Sequence, residues 1–254
     1  MTICASVKVR DGLVLGTDSM TQIWGQDEAG NRLPIKSYGN ARKLFQIGTL
    51  PIGVMTYGIG NLGPRSIYGF VRDFSLGYSG ETDVKSVSQK LYEFISEAYH
   101  EHFGDTPGPT LGFFIAGYSP DQAFPEEWEF QLPKDQETRQ VRPEERFGSS
   151  WRGISIPFTR LYKGYDPRTM EELKRMDVPE EAIEIVRRYE SPVVYDGMPV
   201  QDAVNFVIFI LQTTIGLSTF ELGSPSCGGP LQIATVLPED GFQWIKEPTL
   251  VAAA

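Results

Sequence analysis

Cysteine and histidine are scarce in this chain of 254 residues, which has two of each. The two cysteines, Cys4 and Cys227, exclude the disulfide framework of small secreted domains, although a single bridge between them stays open. The two histidines, His100 and His102, stand two positions apart in a predicted helix. Residues at that spacing point to different helix faces, so we expect no metal site there.

Long apolar runs and an excess of basic residues are also missing. The longest apolar run, Phe206 to Leu211, is far shorter than the roughly 20 residues of a membrane span. The first residues show no basic segment followed by an apolar one, as a signal peptide would. Lys and Arg number 23 against 33 Asp and Glu, a net charge of −10. We therefore expect a cytoplasmic protein with no nucleic acid and no membrane as partner.

Short strand patterns are what the chain does contain, and they come in hairpins. Residues 3–9 alternate apolar and polar, the pattern of a half-buried strand. Asp11-Gly12 is a strong turn signal, and a second apolar strand then leads to Asp18. Further strands are predicted at 43–47, 52–57, 110–118, 127–132, 231–237 and 242–245.

Helical spacing appears between and after these strands. Apolar residues recur at three- and four-residue steps from about Asn61, a plausible N-cap, to Leu76, and again over 83–103. Later helices are predicted near 153–162, at 177–188 and over 200–215, the last apolar nearly all round and hence deeply buried. Hairpins combined with helices favour an α+β fold in which one sheet packs on another with helices outside. No linker divides the chain, so we expect one domain over 1–254.

The glycines of Gly58-Ile59-Gly60-Asn61-Leu62-Gly63 fit the G-x-G-x-x-G pattern of dinucleotide sites. Such a site also needs a parallel strand after the helix, ending in an acidic residue. Here one predicted helix follows another, so we expect no nucleotide cofactor. The alternative is that the backbone at Gly58 closely approaches a reacting group.

Five segments, taken in order, resemble the catalytic β subunits of the proteasome and their bacterial homologues, within the N-terminal-nucleophile (Ntn) hydrolase superfamily. They are Thr2, residues 11–19, residues 43–47, residues 56–58 and residues 226–229. Sixteen positions separate Thr2 from Asp18, as in the family, and Lys43 directly precedes Leu-Phe-Gln-Ile. The resemblance implies a four-layer αββα sandwich of two antiparallel sheets flanked by helices. It also implies a homo-oligomeric ring, peptides or unfolded polypeptides as substrates, and an unfoldase as partner.

The resemblance assigns a threonine-peptidase site to these residues. A threonine hydroxyl needs a base, and Thr2 would supply its own α-amine, of pKa about 8, once Met1 is removed. Lys43 would lower the pKa of that amine through its charge, and Asp18 would pair with Lys43. The Gly58 amide would donate to the oxyanion of the tetrahedral intermediate. Each of these residues, taken alone, has an ordinary non-catalytic explanation. Thr2 would be a residue tolerated at position 2, Asp18 a cap at the end of a strand, and Lys43 a solvated surface charge.

The chain departs from the family around this site. The family serine after the middle-loop glycine falls on Ile154, so Ser155 takes the role only if the register slips by one. The family Asp and Ser beside the Gly-Gly pair fall on Ser224 and Cys227. Ser155, Ser224 and Cys227 are therefore the candidate shell that orients the amine.

Two insertions, near 24–40 and 165–197, also separate the chain from the family pattern. With the altered shell, they leave three functions open. These are a threonine peptidase, a catalytically silent ring subunit, and a small-molecule amidase on the same fold.

Overall fold

The computed structural model describes residues 2–104, 106–188, 190 and 192–250. Within them the strands are β1 (Ile3–Val9), β2 (Gly12–Thr17), β3 (Thr21–Gln26), β4 (Arg32–Tyr38), β5 (Leu44–Gln46), β6 (Ile52–Gly58), β7 (Asn61–Leu62), β8 (Arg65–Ser66), β9 (Leu111–Gly117), β10 (Glu126–Leu132), β11 (Arg139–Gln140), β12 (Gly148–Gly153), β13 (Gln232–Leu237) and β14 (Gly241–Lys246). The helices are α1 (Ile67–Gly77), α2 (Val84–Phe103), α3 (Ile156–Lys163), α4 (Pro167–Arg175), α5 (Glu180–Arg187) and α6 (Val200–Phe220).

Ten of the strands form two five-stranded antiparallel sheets. The first sheet has the order β12-β1-β2-β13-β14 and the second the order β11-β10-β9-β6-β5. The hairpins β1–β2, β5–β6 and β13–β14 are those predicted from the sequence. Strand β12 was not predicted, because its sequence, Gly-Ser-Ser-Trp-Arg-Gly, lacks an apolar alternation. It forms because it pairs antiparallel with the edge of β1, where Ile3 lies opposite Gly153.

Three apolar clusters separate four layers. Residues of β1 and β2 pack with α3 and α6 on the outer side of the first sheet. Residues of both sheets meet in a middle cluster that includes Leu13, Leu15, Met55 and Phe114. Residues of β6 and β9 pack with α1 and α2 on the outer side of the second sheet. The predicted four-layer αββα sandwich is confirmed.

Strand β1 is buried on both faces, so the expectation of a half-buried strand is wrong. Its polar residues face the second sheet instead of solvent. The Ser6 hydroxyl donates to Glu127 Oε1 at 2.5 Å, and Lys8 Nζ donates to the Glu144 carbonyl at 2.5 Å. Glu127 also pairs with Arg142. An alternating sequence predicts one polar face of a strand. It does not reveal whether water or the polar and charged groups of another segment cover that face.

Helix α1 begins at Ile67, six residues later than predicted. Asn61 lies in a small hairpin of β7 and β8, and the N-cap is Ser66, whose side chain accepts the Gly69 N–H. Strands β6 and β9 are neighbours and run antiparallel. The glycine-rich segment 58–63 therefore does not open the parallel βαβ unit of a dinucleotide site.

Helix α6 is long and apolar enough, by length and composition alone, to cross a membrane. Its inner face is a core face, since Ala203, Val207 and Ile210 are fully buried in the cluster with β1 and β2. Its outer face is not covered: Phe209 is 49% exposed and Phe220 is 87% exposed. Among the described residues, the prediction of a deeply buried helix is therefore right for the inner face of α6 and wrong for its outer face.

Both proposed insertions have regular structure. The first is a hairpin of β3 and β4 that pairs with neither main sheet. The second contains α4 and α5, and residues 189 and 191 of it lie outside the described part of the chain. These segments extend the sandwich without entering either sheet.

The N-cap of α1 provides a test of this corrected boundary. We expect Ser66→Ala to lower the free energy of unfolding by about 1 kcal/mol, because one first-turn N–H loses its acceptor. Asn61→Ala is the matched control and should cost less than about 0.5 kcal/mol, since Asn61 is exposed and outside the helix. Urea unfolding measures both, and a larger loss for Asn61→Ala would contradict the boundary.

Candidate active site

Thr2 lies at the entrance to β1 and is almost fully buried, with 4% of its surface exposed. Its carbonyl oxygen accepts the Ile154 N–H at 2.8 Å. Gly153, which precedes Ile154, has a φ of +82°. A Cβ at this position would stand 1.9 Å from the Thr2 carbonyl oxygen. The turn between β12 and α3 thus holds the Thr2 backbone by an approach that only glycine permits.

Asp18 directly follows β2, and its fully buried carboxylate accepts four hydrogen bonds. Oδ1 accepts the Ile3 N–H at 3.2 Å and Lys43 Nζ at 2.8 Å. Oδ2 accepts the N–H groups of Met20 at 3.2 Å and Gly228 at 3.0 Å. One carboxylate therefore ties Lys43 and the closing Gly-Gly segment to the residue that follows Thr2.

Lys43 is buried, and its ion pair with Asp18 is the contact that the resemblance implied. Burial lowers the pKa of the Lys43 ammonium, and the Asp18 charge opposes that shift. Its backbone is also held, because Gln232 Oε1 accepts the N–H groups of Lys43 and Leu44 at 3.0 and 3.1 Å. Gln232 had no signal in the sequence, since it acts from β13, nearly 190 positions away.

Ser19 is a second residue that the sequence interpretation missed. Its hydroxyl lies 2.6 Å from the carbonyl oxygens of both Gly39 and Pro230, and its N–H donates to the Gly228 carbonyl at 3.1 Å. It lies in the segment quoted for the resemblance, but a lone serine after an aspartate reveals no partners. Ser19 joins the segments that flank the Asp18–Lys43 pair.

Gly58 ends β6 and lines the same cavity as Thr2. Its φ is +99°, and a Cβ there would stand 2.1 Å from the Thr110 carbonyl oxygen. Contact with the neighbouring strand is therefore sufficient reason for glycine at this position. The oxyanion role of its amide stays a prediction.

The candidate orienting shell divides into three cases. Ser155 lines the cavity with Thr2, and its side chain does not cap α3. Cys227 is buried beside Asp18 and Lys43; burial raises the pKa of its thiol to about 11, so it is protonated at neutral pH. Ser224 is exposed in the loop after α6, and none of the hydrogen bonds described for this chain joins it to the site. The structure thus brings Ser155 and Cys227 to the site region but not Ser224.

A cavity of about 420 Å³ opens beside Thr2, and Tyr57, Gln131, Trp151 and Arg152 contribute to its wall. Arg152 is its one charged lining side chain among the described residues. The described residues contain no cluster of three or more potential metal-binding side chains. Removal of Met1 concerns a residue outside the described part of the chain. Thr2 and Gly58 line this cavity, whereas Asp18 and Lys43 are not among its lining residues. The Asp18–Lys43 pair instead reaches the site through the hydrogen bond from the Ile3 N–H to Asp18.

No protein-family model matches the chain, and no curated protein matches it. Solved structures do match the chain, among them two that are similar over nearly its whole length. One is Anbu (ancestral beta-subunit) from Yersinia bercovieri, at 14% identity and a TM-score of 0.59, covering 97% of this chain and 88% of that one. The other is the Anbu (Gly-1) mutant from Hyphomicrobium sp. strain MC1, at 13% identity and a TM-score of 0.57, covering 97% and 85%.

At an identity this low, structural similarity establishes the fold alone. The activity must be argued from the residues of the site. The fold evidence agrees at three levels: the order of the segments, the two antiparallel sheets between helices, and the match over 97% of the chain. This chain has the N-terminal-nucleophile hydrolase fold, in the two-sheet arrangement that it shares with the Anbu structures.

Proposed function

We propose that this protein is a threonine-type peptidase of the cytoplasm, in which Thr2 becomes the nucleophile after Met1 is removed. The observation that carries the proposal is the Asp18 carboxylate, which binds Lys43 Nζ at 2.8 Å and the Ile3 N–H at 3.2 Å. A buried lysine so held beside the entrance to β1 serves a hydroxyl nucleophile, whose activation requires a nearby cation and base.

The proposed reaction uses the two functional groups of one residue. Thr2 Oγ1 attacks the peptide carbonyl carbon while its proton passes to the α-amine of Thr2. The oxyanion accepts the Gly58 N–H, a contact of about 3–4 kcal/mol in comparable sites. The C–N bond breaks as the leaving amine takes the proton, which leaves an ester on Thr2. Water then hydrolyses that ester and restores the hydroxyl.

The chemical state of residue 2 tests this proposal directly. Intact-mass measurement of the purified protein should show the loss of one methionine residue. An electrophile that joins an amine to a hydroxyl should then label Thr2, located by peptide mapping. Thr2→Ala should abolish the label, while Thr219→Ala, at an exposed threonine on α6, should keep it. Retention of Met1, or equal labelling of Thr2→Ala, would overturn the assignment.

The silent subunit and the amidase are the competing functions on this fold. The exposed Ser224 and the protonated Cys227 favour a silent subunit. Ser224 lacks the carboxylate of the family Asp, and Cys227 lacks the hydroxyl of the family Ser. Absence of the label at a free Thr2 would support it. Hydrolysis of small amides without hydrolysis of peptides would support the amidase.

Assembly into a homo-oligomeric ring belongs to the same proposal, with an unfoldase partner as a further prediction. Its support here is the apolar surface of the β3–β4 hairpin, where Ile23, Leu33, Ile35 and Tyr38 are each more than a third exposed. Such surfaces are common at protein interfaces. Light scattering at micromolar concentration should give an oligomer mass, and a monomer would contradict the ring.

A further inference from the structure

The cavity beside Thr2 has a wall that the proposed reaction does not use. The unused part consists of Gln131 on β10, Arg152 on β12 and Tyr57 on β6, next to Ser155 at the start of α3. The cavity has a volume of about 420 Å³, which is in the range of small-ligand sites. It can therefore hold a substrate side chain. The polar groups of this wall therefore lie where a substrate group next to Thr2 would contact them.

Arg152 carries the charge of this wall. Its Nε and Nη2 donate to the two Glu129 oxygens at 2.6 and 3.1 Å, and its Nη1 donates to the Trp151 carbonyl at 2.8 Å. A guanidinium has five N–H donors, so these described contacts leave two for a ligand. An arginine has no acceptor, and those donors suit a carboxylate.

Glu129 does not cancel this preference, because it serves two arginines. Arg139 Nε donates to Glu129 Oε1 at 3.1 Å, in addition to the two bonds from Arg152. The group of two guanidiniums and one carboxylate has a net charge of +1. Asp135 lies nearby, since it accepts the Gln131 backbone N–H at 2.8 Å, but it is not among the lining residues.

Gln131 adds a neutral donor to the same wall. Its Oε1 lies 3.5 Å from the Tyr57 hydroxyl, a long contact that directs the carbonyl side of the amide toward Tyr57. Its NH₂ group is then the end available to an acceptor. The lining thus offers N–H donors from Arg152 and Gln131, and no carboxylate is among its described residues.

We propose that the Arg152–Gln131 wall is a subsite for a carboxylate group of the substrate, adjacent to the bond that Thr2 cleaves. This inference rests on the proposed peptidase function and specifies its substrate class. The carboxylate has two sources: an acidic side chain next to the cleaved bond, or the free C-terminus of a short peptide. Both present the same pair of acceptor oxygens to the wall.

Matched peptides test the proposal in the assembled, full-length protein. One series carries Glu, Gln or Leu on either side of the cleaved bond, and a second ends in a free acid or an amide shortly after that bond. We expect kcat/KM to be about tenfold higher for one carboxylate form than for its amide, as for a hydrogen bond to a charged group. The series that shows the difference identifies the source.

Two double variants link the preference to this wall. Arg152→Met with Glu129→Gln removes the pair together, so that no buried charge is left alone, and should bring the acid-to-amide ratio close to one. Arg10→Met with Asp196→Asn removes an exposed pair elsewhere and should leave the ratio unchanged. Because a ratio does not depend on the amount of folded enzyme, partial unfolding does not mimic the effect. An unchanged ratio in the first variant would refute the subsite.

Binding to Thr2→Ala keeps this test separate from that of hydrolysis. Calorimetry with glutarate and with its diamide, glutaramide, needs no turnover. Tighter binding of glutarate, lost in the Arg152→Met and Glu129→Gln background, supports the subsite even if no peptide is cleaved. Equal binding of the two compounds refutes the subsite, while labelling of wild-type Thr2 would still support the peptidase.

Discussion

Asp18→Asn is expected to lower the free energy of unfolding by about 3–5 kcal/mol and to abolish peptide hydrolysis. The substitution keeps the size of the side chain, so packing is preserved. It removes the charge opposite Lys43 and places an NH₂ group where two N–H donors now find an acceptor oxygen. The cost is large because Asp18 is fully buried and receives four hydrogen bonds.

Asp196→Asn is the matched control for this prediction. Asp196 also pairs with a cation, Arg10, at 2.8 Å, but both side chains are more than half exposed. Exposed pairs contribute about 0–1 kcal/mol because water and salt screen them. Urea unfolding at one pH compares the two variants. Equal losses of stability would show that the buried position of Asp18 is not what makes its contacts important.

Gly153→Ala is expected to cost about 2–5 kcal/mol and to reduce hydrolysis by on the order of 100-fold. An L-residue at a φ of +82° is strained by about 1–2 kcal/mol. In addition, the new Cβ would stand 1.9 Å from the Thr2 carbonyl oxygen, so one of the two backbones must shift. Thr2 is the residue displaced, and small displacements of a reacting group cost about two orders of magnitude in rate.

Gly164→Ala separates the two causes. Gly164 has a similar φ, +76°, but no atom lies within 4 Å of the position its Cβ would take. Only the backbone strain of about 1–2 kcal/mol should appear there, with no effect on hydrolysis. Thermal unfolding and an assay of each variant distinguish strain from collision. An equal effect on hydrolysis in both variants would contradict the displacement of Thr2.

Strong local signals predicted most of the fold. Asp11-Gly12 and Glu239-Asp240-Gly241 are turn sequences between apolar strands, and both hairpins are present. The long amphipathic pattern that ends at Phe103 gave α2 nearly to its boundaries. The pattern failed where the tertiary environment decides, as for β12, which has no apolar alternation and forms only against β1.

The site was predicted only as far as ordered motifs allowed. Order and spacing alone select Thr2, Asp18, Lys43 and Gly58. The structure pairs Lys43 with Asp18 and places Thr2 and Gly58 on one cavity, and the catalytic roles of the four residues stay predictions. Gln232 and Arg152 were missed because each acts across the sheets, on partners far away in the sequence. Nothing in their sequence neighbourhood reveals those partners.

By itself the sequence determined the hairpins, the long helices and the register of Thr2, Asp18 and Lys43, since these depend on turn chemistry and residue spacing over short distances. The tertiary structure decided what covers each face. It buried Ser6 and Lys8 against Glu127 and Glu144, left the outer face of α6 open and kept Ser224 out of the site. The reason is that burial and charge compensation belong to contacts between segments, and only the packing of the two sheets creates those contacts.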